Sequence, residues 1–313
     1  MRPVPGKLES MDEILDCIVV GGGAAGLSAG LVLGRARRST LVIDKGEQSN
    51  LAARGIGGLL GHDGRPPAEL YRIGRSELAA YGVSVRDGEV VEINRSNGDF
   101  IVRLADGTSE RSRRLLLATG MKYPVPELPG LDRLWGQAAF HCPFCHGWEV
   151  ADQPLAVLAR GDRAAHLALL LRCWSNDIVV LTDGPAELDA NATERLAAAG
   201  ISIDERPLAG LDGSDGELSA VVFADGARLP RRGLLVATTI RQRDRLADQL
   251  GVAVAAPGFV AEDPVAVDPQ CRTSVPGVFA AGDLTADIPQ VAAAVAAGSR
   301  AAAAVVQSLV FDE

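Results

Sequence analysis

Two stretches of this chain, residues 16–44 and 154–183, follow one pattern of strand, glycine-bearing turn, helix and strand. In the first, Cys17-Ile18-Val19-Val20 is a continuous apolar run, a helix spans about 24–33, and a second strand covers 40–43 and ends at Asp44. In the second, the strands are 155–158 and 178–181 and the helix is 164–173. The copies also close alike. Ala105-Asp106-Gly107 and Ala224-Asp225-Gly226 are hairpin signals, leading to the apolar runs 115–120 and 234–239. Strands that alternate with helices form parallel sheets covered by helices, so the repeat predicts an α/β chain of two Rossmann-like three-layer domains. At 313 residues each domain has room for its own core. Pro124, Pro126 and Pro129 stiffen the connector after the first copy. The tail beyond Thr239 is too short for a third domain but carries one more strand, 278–281, and an Ala-rich helix. The simplest topology returns this tail to the first domain. Residues 1–120 plus 244–313 then form the first domain, and 121–243 the second, inserted in it.

Composition excludes several classes of function. Hydrophobic residues make up 47% and charged residues 23%, a mix typical of globular proteins, and the net charge is −9 with no dense Lys/Arg cluster, which argues against nucleic acid as a partner. Arg111, Arg113 and Arg114 flank a predicted strand and are expected to be solvated. The apolar stretch 291–310 is broken by Gly298-Ser299-Arg300 and reads as a buried helix, so no membrane association is expected. The N-terminus has no apolar run of the kind a secretory leader needs, and the expected location is cytoplasmic. Five cysteines in such a chain do not form a structural disulfide framework, and Cys17, Cys173 and Cys271 read as small buried hydrophobes.

Gly21-Gly22-Gly23-Ala24-Ala25-Gly26 fits G-x-G-x-x-G between a strand and a helix, the context in which that motif binds a dinucleotide. Gly21 permits the tight turn, Gly23 lets a pyrophosphate approach the backbone, and Gly26, beside Ala25, lets helix and strand pack closely. The helix N-terminus offers N–H groups to the phosphates. Asp44, followed by Lys45, ends the second strand, where a carboxylate accepts hydrogen bonds from ribose hydroxyls. The motif alone does not separate FAD from NAD. Ala118-Thr119-Gly120 and the segment 274–283 favour FAD, because both place small residues at strand ends where a long cofactor lies against backbone.

Cys142-Pro143-Phe144-Cys145 supplies the chemistry. Two cysteines three apart at a helix start close a small disulfide, and a helix N-terminus favours the thiolate that carries exchange. The competing reading is half a zinc site, but no second Cys/His pair at metal spacing follows, and His141 and His146 flank the motif too closely for a good tetrahedron. A neutral imidazole accepts a thiol proton near pH 7, so both histidines are candidate bases.

Taken in order, Gly21–Gly26, Ala118-Thr119-Gly120, the Cys-x-x-Cys and the segment 278–283 resemble the low-molecular-weight thioredoxin reductase family over nearly the whole chain. The resemblance implies bound FAD, with Gly282-Asp283 at the ribityl chain and backbone around Gln290-Val291 at the flavin ring, and a homodimer. It also implies that Cys145 is the flavin-proximal sulfur and Cys142 the substrate-facing one. Within the group, the run from His141 to Glu149, with Asn50 and Gly61-His62-Asp63-Gly64, is most similar to a branch of dithiol oxidases that close disulfides in natural products and pass electrons to O2. That branch implies a small-molecule dithiol as substrate. The family usually has Asp after the second cysteine, and His146 stands there in this chain. Asp287 lies in the loop after Asp283, where it either orients a histidine or is a surface carboxylate.

The second glycine motif has decayed. Ala159-Arg160-Gly161-Asp162-Arg163-Ala164 lacks the first glycine, and Asp183 after the next strand repels a 2′-phosphate. A dithiol oxidase without nicotinamide is the leading expectation. A reductase with a variant NADH site, Asp183 holding the ribose, and a flavin-bearing redox sensor without turnover are the alternatives.

Overall fold

The computed structural model describes residues 14–311, and the N-terminal stretch read above for a leader lies outside them. The chain divides into two compact units. One contains residues up to Ser49, Pro67–Lys122 and Ile240 onward; the other contains Asn50–Pro66 and Tyr123–Thr239. The division departs from the sequence expectation chiefly in one segment: residues 50–66 cluster with the second unit. That loop has neither helical nor strand periodicity, so only its tertiary contacts assign it. Arg54 donates to the Gln137 side-chain oxygen at 2.8 Å and to the Asp215 carbonyl, and Ile56, 4% exposed, is buried.

The first unit is built on a seven-stranded sheet. Ser84–Asp87, Thr40–Asp44, Leu15–Val20 and Ser109–Leu117 run parallel, and the antiparallel strands Asp99–Leu104 and Val90–Ser96 follow. Val278–Ala280 returns from the far end of the chain and pairs in parallel with the last residues of Ser109–Leu117, setting Leu116 between Val19 and Phe279. The tail therefore completes the first sheet, as the topology argument predicts. The continuous apolar runs of these strands suit a sheet buried on both faces. The turn at Ala105-Asp106-Gly107 joins Asp99–Leu104 to Ser109–Leu117, with Gly107 at φ +85°. The three arginines lie within that last strand: Arg111 pairs with Asp99, Arg113 with Asp16, and Arg114 donates to Ser308.

Helix Ala24–Arg35 buries Ala25, Gly26, Ala29, Gly30 and Leu33 against helix Val291–Phe311 and the sheet. The small residues let the two helices nearly touch: a Cβ on residue 298 would sit 2.0 Å from the Ala25 carbonyl oxygen. Ser28 adds a 2.7 Å hydrogen bond to the Val295 carbonyl. Val291–Phe311 is long and apolar enough to be weighed as a membrane span, yet half of its apolar window is buried and its Ala face belongs to this core.

The second unit repeats the plan. Ser202–Asp204, Ile178–Leu181, Leu155–Leu158, Gly233–Val236 and Ala139–Phe140 form a five-stranded parallel sheet. An antiparallel meander, Leu208–Ser214, Glu217–Phe223 and Arg228–Pro230, covers part of it. Helix Gly161–Leu171 begins three residues before the expected start, because Asp162 and Arg163 continue the first turn. Cys17 and Cys271 are buried as expected; Cys173 is exposed, lying just past the end of that helix.

Candidate functional site

In the first unit the sequence-predicted cofactor residues converge on the carboxyl ends of parallel strands, where open α/β sheets bind their ligands. Gly21 has φ +108°, and a Cβ there would lie 2.2 Å from the Ala118 carbonyl oxygen. A Cβ on Gly26 would lie 1.8 Å from the Gly21 carbonyl oxygen, whereas one on Gly23 would meet only Gln48 Cγ, at 3.7 Å. The loop is thus tight against strand and helix and open on the side a phosphate would use. No side chain caps the helix at Gly23, leaving its first-turn N–H groups to a ligand. Ala118-Thr119-Gly120 leaves the Ser109–Leu117 strand directly beside Gly21, and Gly282 packs on the Ala25 side chain. Asp283 lies in the short turn Gly282–Leu284, and Gln290 accepts the Ala294 N–H just ahead of Val291, the first residue of its helix. This cradle fits the pyrophosphate of a dinucleotide.

Asp44 is almost fully buried, and its oxygens are engaged by the protein itself. It accepts from the Gly22 and Gly46 N–H groups at 3.1 Å, from the Gln48 amide and from Arg75. A carboxylate has about four acceptor positions. A ribose hydroxyl at Asp44 would therefore share or displace the Gln48 contact, the one flexible neutral donor in the set. Lys45 is half-exposed and pairs with Glu89 and Glu47, which raise its pKa. Asn50 falls in the second unit's loop.

In the second unit, Cys142, Cys145, His141 and His146 are brought together by a tight local structure. Cys142 is the N-cap of a single helical turn, Pro143–His146, with Pro143 at its first position. Both cysteines are half-buried. One turn sums few peptide dipoles, so the electrostatic help expected from a helix start is smaller here than from a full helix. Phe144 is exposed and meets Trp174 edge-on at 5.6 Å. The Asn50–Pro66 loop packs directly on the motif: a Cβ on Gly57 would sit 2.7 Å from the Cys145 carbonyl oxygen. Sequence reasoning ties that loop to the dithiol oxidases by resemblance alone and does not foresee this contact.

His141 meets Tyr123 at 4.5 Å, with the rings tilted by 46°, and stacks on Trp135 at 5.8 Å. Burial first, and the neighbouring His146 second, push its pKa down to about 4. His146 lies flat on Phe140, 5.6 Å away, and its Nε2 is 3.1 Å from the Gly136 carbonyl oxygen. Burial lowers its pKa as well, against opposing contributions from Glu149 and the Gly136 and Cys142 carbonyls. Both rings are therefore neutral at pH 7. Asp287 belongs to the first unit, where it is an exposed carboxylate paired with Arg300 at 3.4 Å. Among the described residues no cluster of three or more His, Cys, Asp or Glu side chains is arranged to hold a metal ion.

A depressed histidine pKa has a stability consequence with a definite sign. Unfolded His141 titrates near 6.5 and folded His141 near 4, so the unfolded chain binds more protons between those values. The stability it contributes at pH 7 falls as the pH drops through that window, by about 2 kcal/mol between pH 7 and pH 5. Urea unfolding at the two pH values should show that loss in the wild type, and a smaller one in His141→Phe, which keeps the ring stack without the titration.

The turn of the second unit that matches the cofactor loop is closed by its own residues. Arg160 lies across the end of strand Ile178–Leu181, donating from Nε to the Thr182 carbonyl at 2.6 Å and from its other end to the Asp183 carbonyl. The Gly161 N–H, which would face a phosphate, donates instead to the Ala186 carbonyl at 2.9 Å. Asp183, the alternative ribose ligand, accepts the Leu208 N–H at 2.8 Å. Arg163 is turned onto the Thr238 carbonyl and the Thr239 hydroxyl. The fold of a nucleotide site persists, with the Gly161 N–H, the Arg160 guanidinium and the Asp183 carboxylate engaged internally.

Comparison with known proteins agrees with this layout. Residues 15–298 match the pyridine nucleotide-disulphide oxidoreductase family. The thioredoxin reductase aclD of Aspergillus oryzae is 32% identical over 313 residues, covering 96% of this chain and 98% of that protein. The crystal structure of HlmI superposes with a TM-score of 0.91 at 36% identity, covering 96% of this chain and 94% of HlmI. An oxidoreductase from Agrobacterium tumefaciens gives 0.89 at 36% identity, covering 96% of this chain and all of its own.

Proposed function

Because the chain belongs to the pyridine nucleotide-disulphide oxidoreductase family, we propose that it is an FAD-dependent dithiol oxidase, closing a disulfide in a small-molecule dithiol with O2 as the final acceptor. The observation that carries this reading is the contrast between the two units: the first keeps an open dinucleotide cradle, and the second keeps Cys142 and Cys145 while its own nucleotide turn is filled by Arg160 and the Ala186 carbonyl. A homodimer goes with the reading through the resemblance of the sequence, and a cytoplasmic location is part of the same proposal.

The residues present support the following sequence of events. A substrate thiol loses its proton to a neutral imidazole beside the motif, and its sulfur attacks Cys142. Both cysteines are free in this structure, and the step starts from their oxidised form: the Cys142–Cys145 bond breaks, a substrate–Cys142 bond forms, and Cys145 leaves as thiolate. The second substrate sulfur then attacks its partner, closes the product disulfide and releases Cys142. Two electrons and two protons are thereby left on the cysteine pair and the imidazole. Gly21, Gly23 and the first turn of helix Ala24–Arg35 would hold FAD, which would supply the two-electron acceptor chemistry that this reading ends on O2.

The thioredoxin reductase name carried by aclD favours a second reading, a disulfide reductase fed by NAD(P)H. Anaerobic titration of the flavin absorbance separates the two. With the oxidase, a small dithiol bleaches the flavin, neither NADPH nor NADH does so, and air restores the colour with peroxide formed. Rapid bleaching by either nicotinamide would sink the oxidase reading and show that Arg160 yields to a ligand.

A further inference from the structure

Trp135 and Gly136 open the four-residue connection, 135–138, between helix Leu131–Leu134, whose two leucines are buried, and strand Ala139–Phe140. It is pinned from several sides. The Gly136 N–H donates to the Ala139 carbonyl at 2.8 Å, and the Gln137 N–H to the Leu134 carbonyl at 3.1 Å. Gly136 has φ +77°, and a Cβ there would press on Ala52 and Ala53 of the Asn50–Pro66 loop at 3.0–3.2 Å. This one turn reaches both histidines that flank the cysteines. The Trp135 ring stacks on His141, with 28° between the planes, and the Gly136 carbonyl faces His146 Nε2. A carbonyl oxygen can only accept, so Nε2 carries the proton of the neutral His146 ring and Nδ1 carries the lone pair. Nδ1 is buried and makes no well-formed hydrogen bond, with the Cys142 carbonyl as a weaker neighbour.

We propose that the Trp135-Gly136 turn is the positioning element for proton transfer: it holds His146 in its Nε2–H tautomer, so that Nδ1 takes the substrate proton, and fixes His141 as a stacked ring beside it. The proposal rests on the reading that the Cys142–Cys145 pair exchanges with thiols. In the step it describes, the S–H bond of the substrate breaks, the proton moves to Nδ1, and the electron pair stays on the attacking sulfur. The imidazolium so formed keeps its bond to Gly136 and gains the Cys142 carbonyl as acceptor. The titratable groups around His146 are His141, Glu149 and the two cysteines.

The test begins with long-range proton–nitrogen correlation spectra of holoenzyme labelled at histidine. The chain has four histidines, so single His→Gln variants assign the signals. His146 is expected to show a bare Nδ1 and a protonated Nε2 at pH 8, where the ring is neutral. A protonated Nδ1, or a mixture of tautomers, would overturn the proposal, and this arm needs no variant that must fold. The second arm is Gly136→Ala, read by exchange of the reduced cysteine pair with a chromogenic aromatic disulfide, which involves neither O2 nor the natural substrate. Displacing the carbonyl should mix the His146 tautomers, slow exchange by about tenfold or more and move its pH profile, with flavin content unchanged. An unaltered rate and profile in a folded Gly136→Ala protein would also overturn it. Failure of the functional reading looks different: the His146 tautomer is as expected while wild-type cysteines do not exchange with dithiols at all.

Discussion

Replacement of either Cys142 or Cys145 by serine is expected to reduce dithiol oxidation to background, a fall on the order of 10⁴-fold or more, because a hydroxyl neither forms the mixed disulfide nor stores the electron pair. The informative measurement is anaerobic: a dithiol added to Cys145→Ser should leave the flavin oxidised, where it bleaches the wild type. Both cysteines are half-buried on a single helical turn that Pro143 and the Cys145 N–H to Cys142 carbonyl contact hold in shape. Serine fits that turn without repacking, so lost turnover reports chemistry rather than folding. Turnover that survives either substitution would mean that the dithiol reacts at the cofactor directly, and the pair would lose its place as relay.

Gly26→Ala should produce the second large effect, on the cofactor. The new methyl group would lie 1.8 Å from the Gly21 carbonyl oxygen and 3.4 Å from Val19 Cγ1. Neither backbone nor strand can give that much, so the helix Ala24–Arg35 must move off the loop whose N–H groups it presents. Overpacking of this kind costs about 1–3 kcal/mol, which corresponds to roughly a ten- to hundredfold loss of flavin affinity if it falls on the binding loop. The ratio of flavin to protein after gel filtration measures it, with circular dichroism to confirm that the chain is folded. Full flavin content in Gly26→Ala would mean that the cofactor does not lie against this turn.

Much of this could be read in the sequence because local chemistry carried it. The Gly21–Gly26 turn, the apolar strands beside it and the Asp-Gly hairpins each announce themselves within a few residues, and Val278–Ala280 is short, apolar and bounded by glycines. Decay of the second turn was visible at Ala159 and Asp183. How it closes was not, because the Arg160 side chain and the Gly161 to Ala186 bond are long-range choices of rotamer and loop path. The same is true of Asp44, whose position at a strand end was legible, whereas its capture by Gly22, Gln48 and Arg75 was not. Two of the four histidines flank the cysteines, which marked the site, but the Gly136 carbonyl that tells one ring nitrogen from the other is a backbone atom without a sequence signature.

The loop of residues 50–66 has a consequence for how such proteins can be recombined. The cysteines lie in 123–239, yet the segment that packs on Cys145 is encoded more than fifty codons before them, with 67–122 of the other unit in between. A crossover between related genes anywhere in that interval joins one parent's loop to the other parent's cysteines. A chimera built by exchanging 123–239 alone inherits the same mismatch, at Gly57 against Cys145, Ala52 against Gly136, and Arg54 against Gln137 and Asp215. The cassette that carries the cysteines together with the loop packed on them is therefore discontinuous, and must be moved as two fragments.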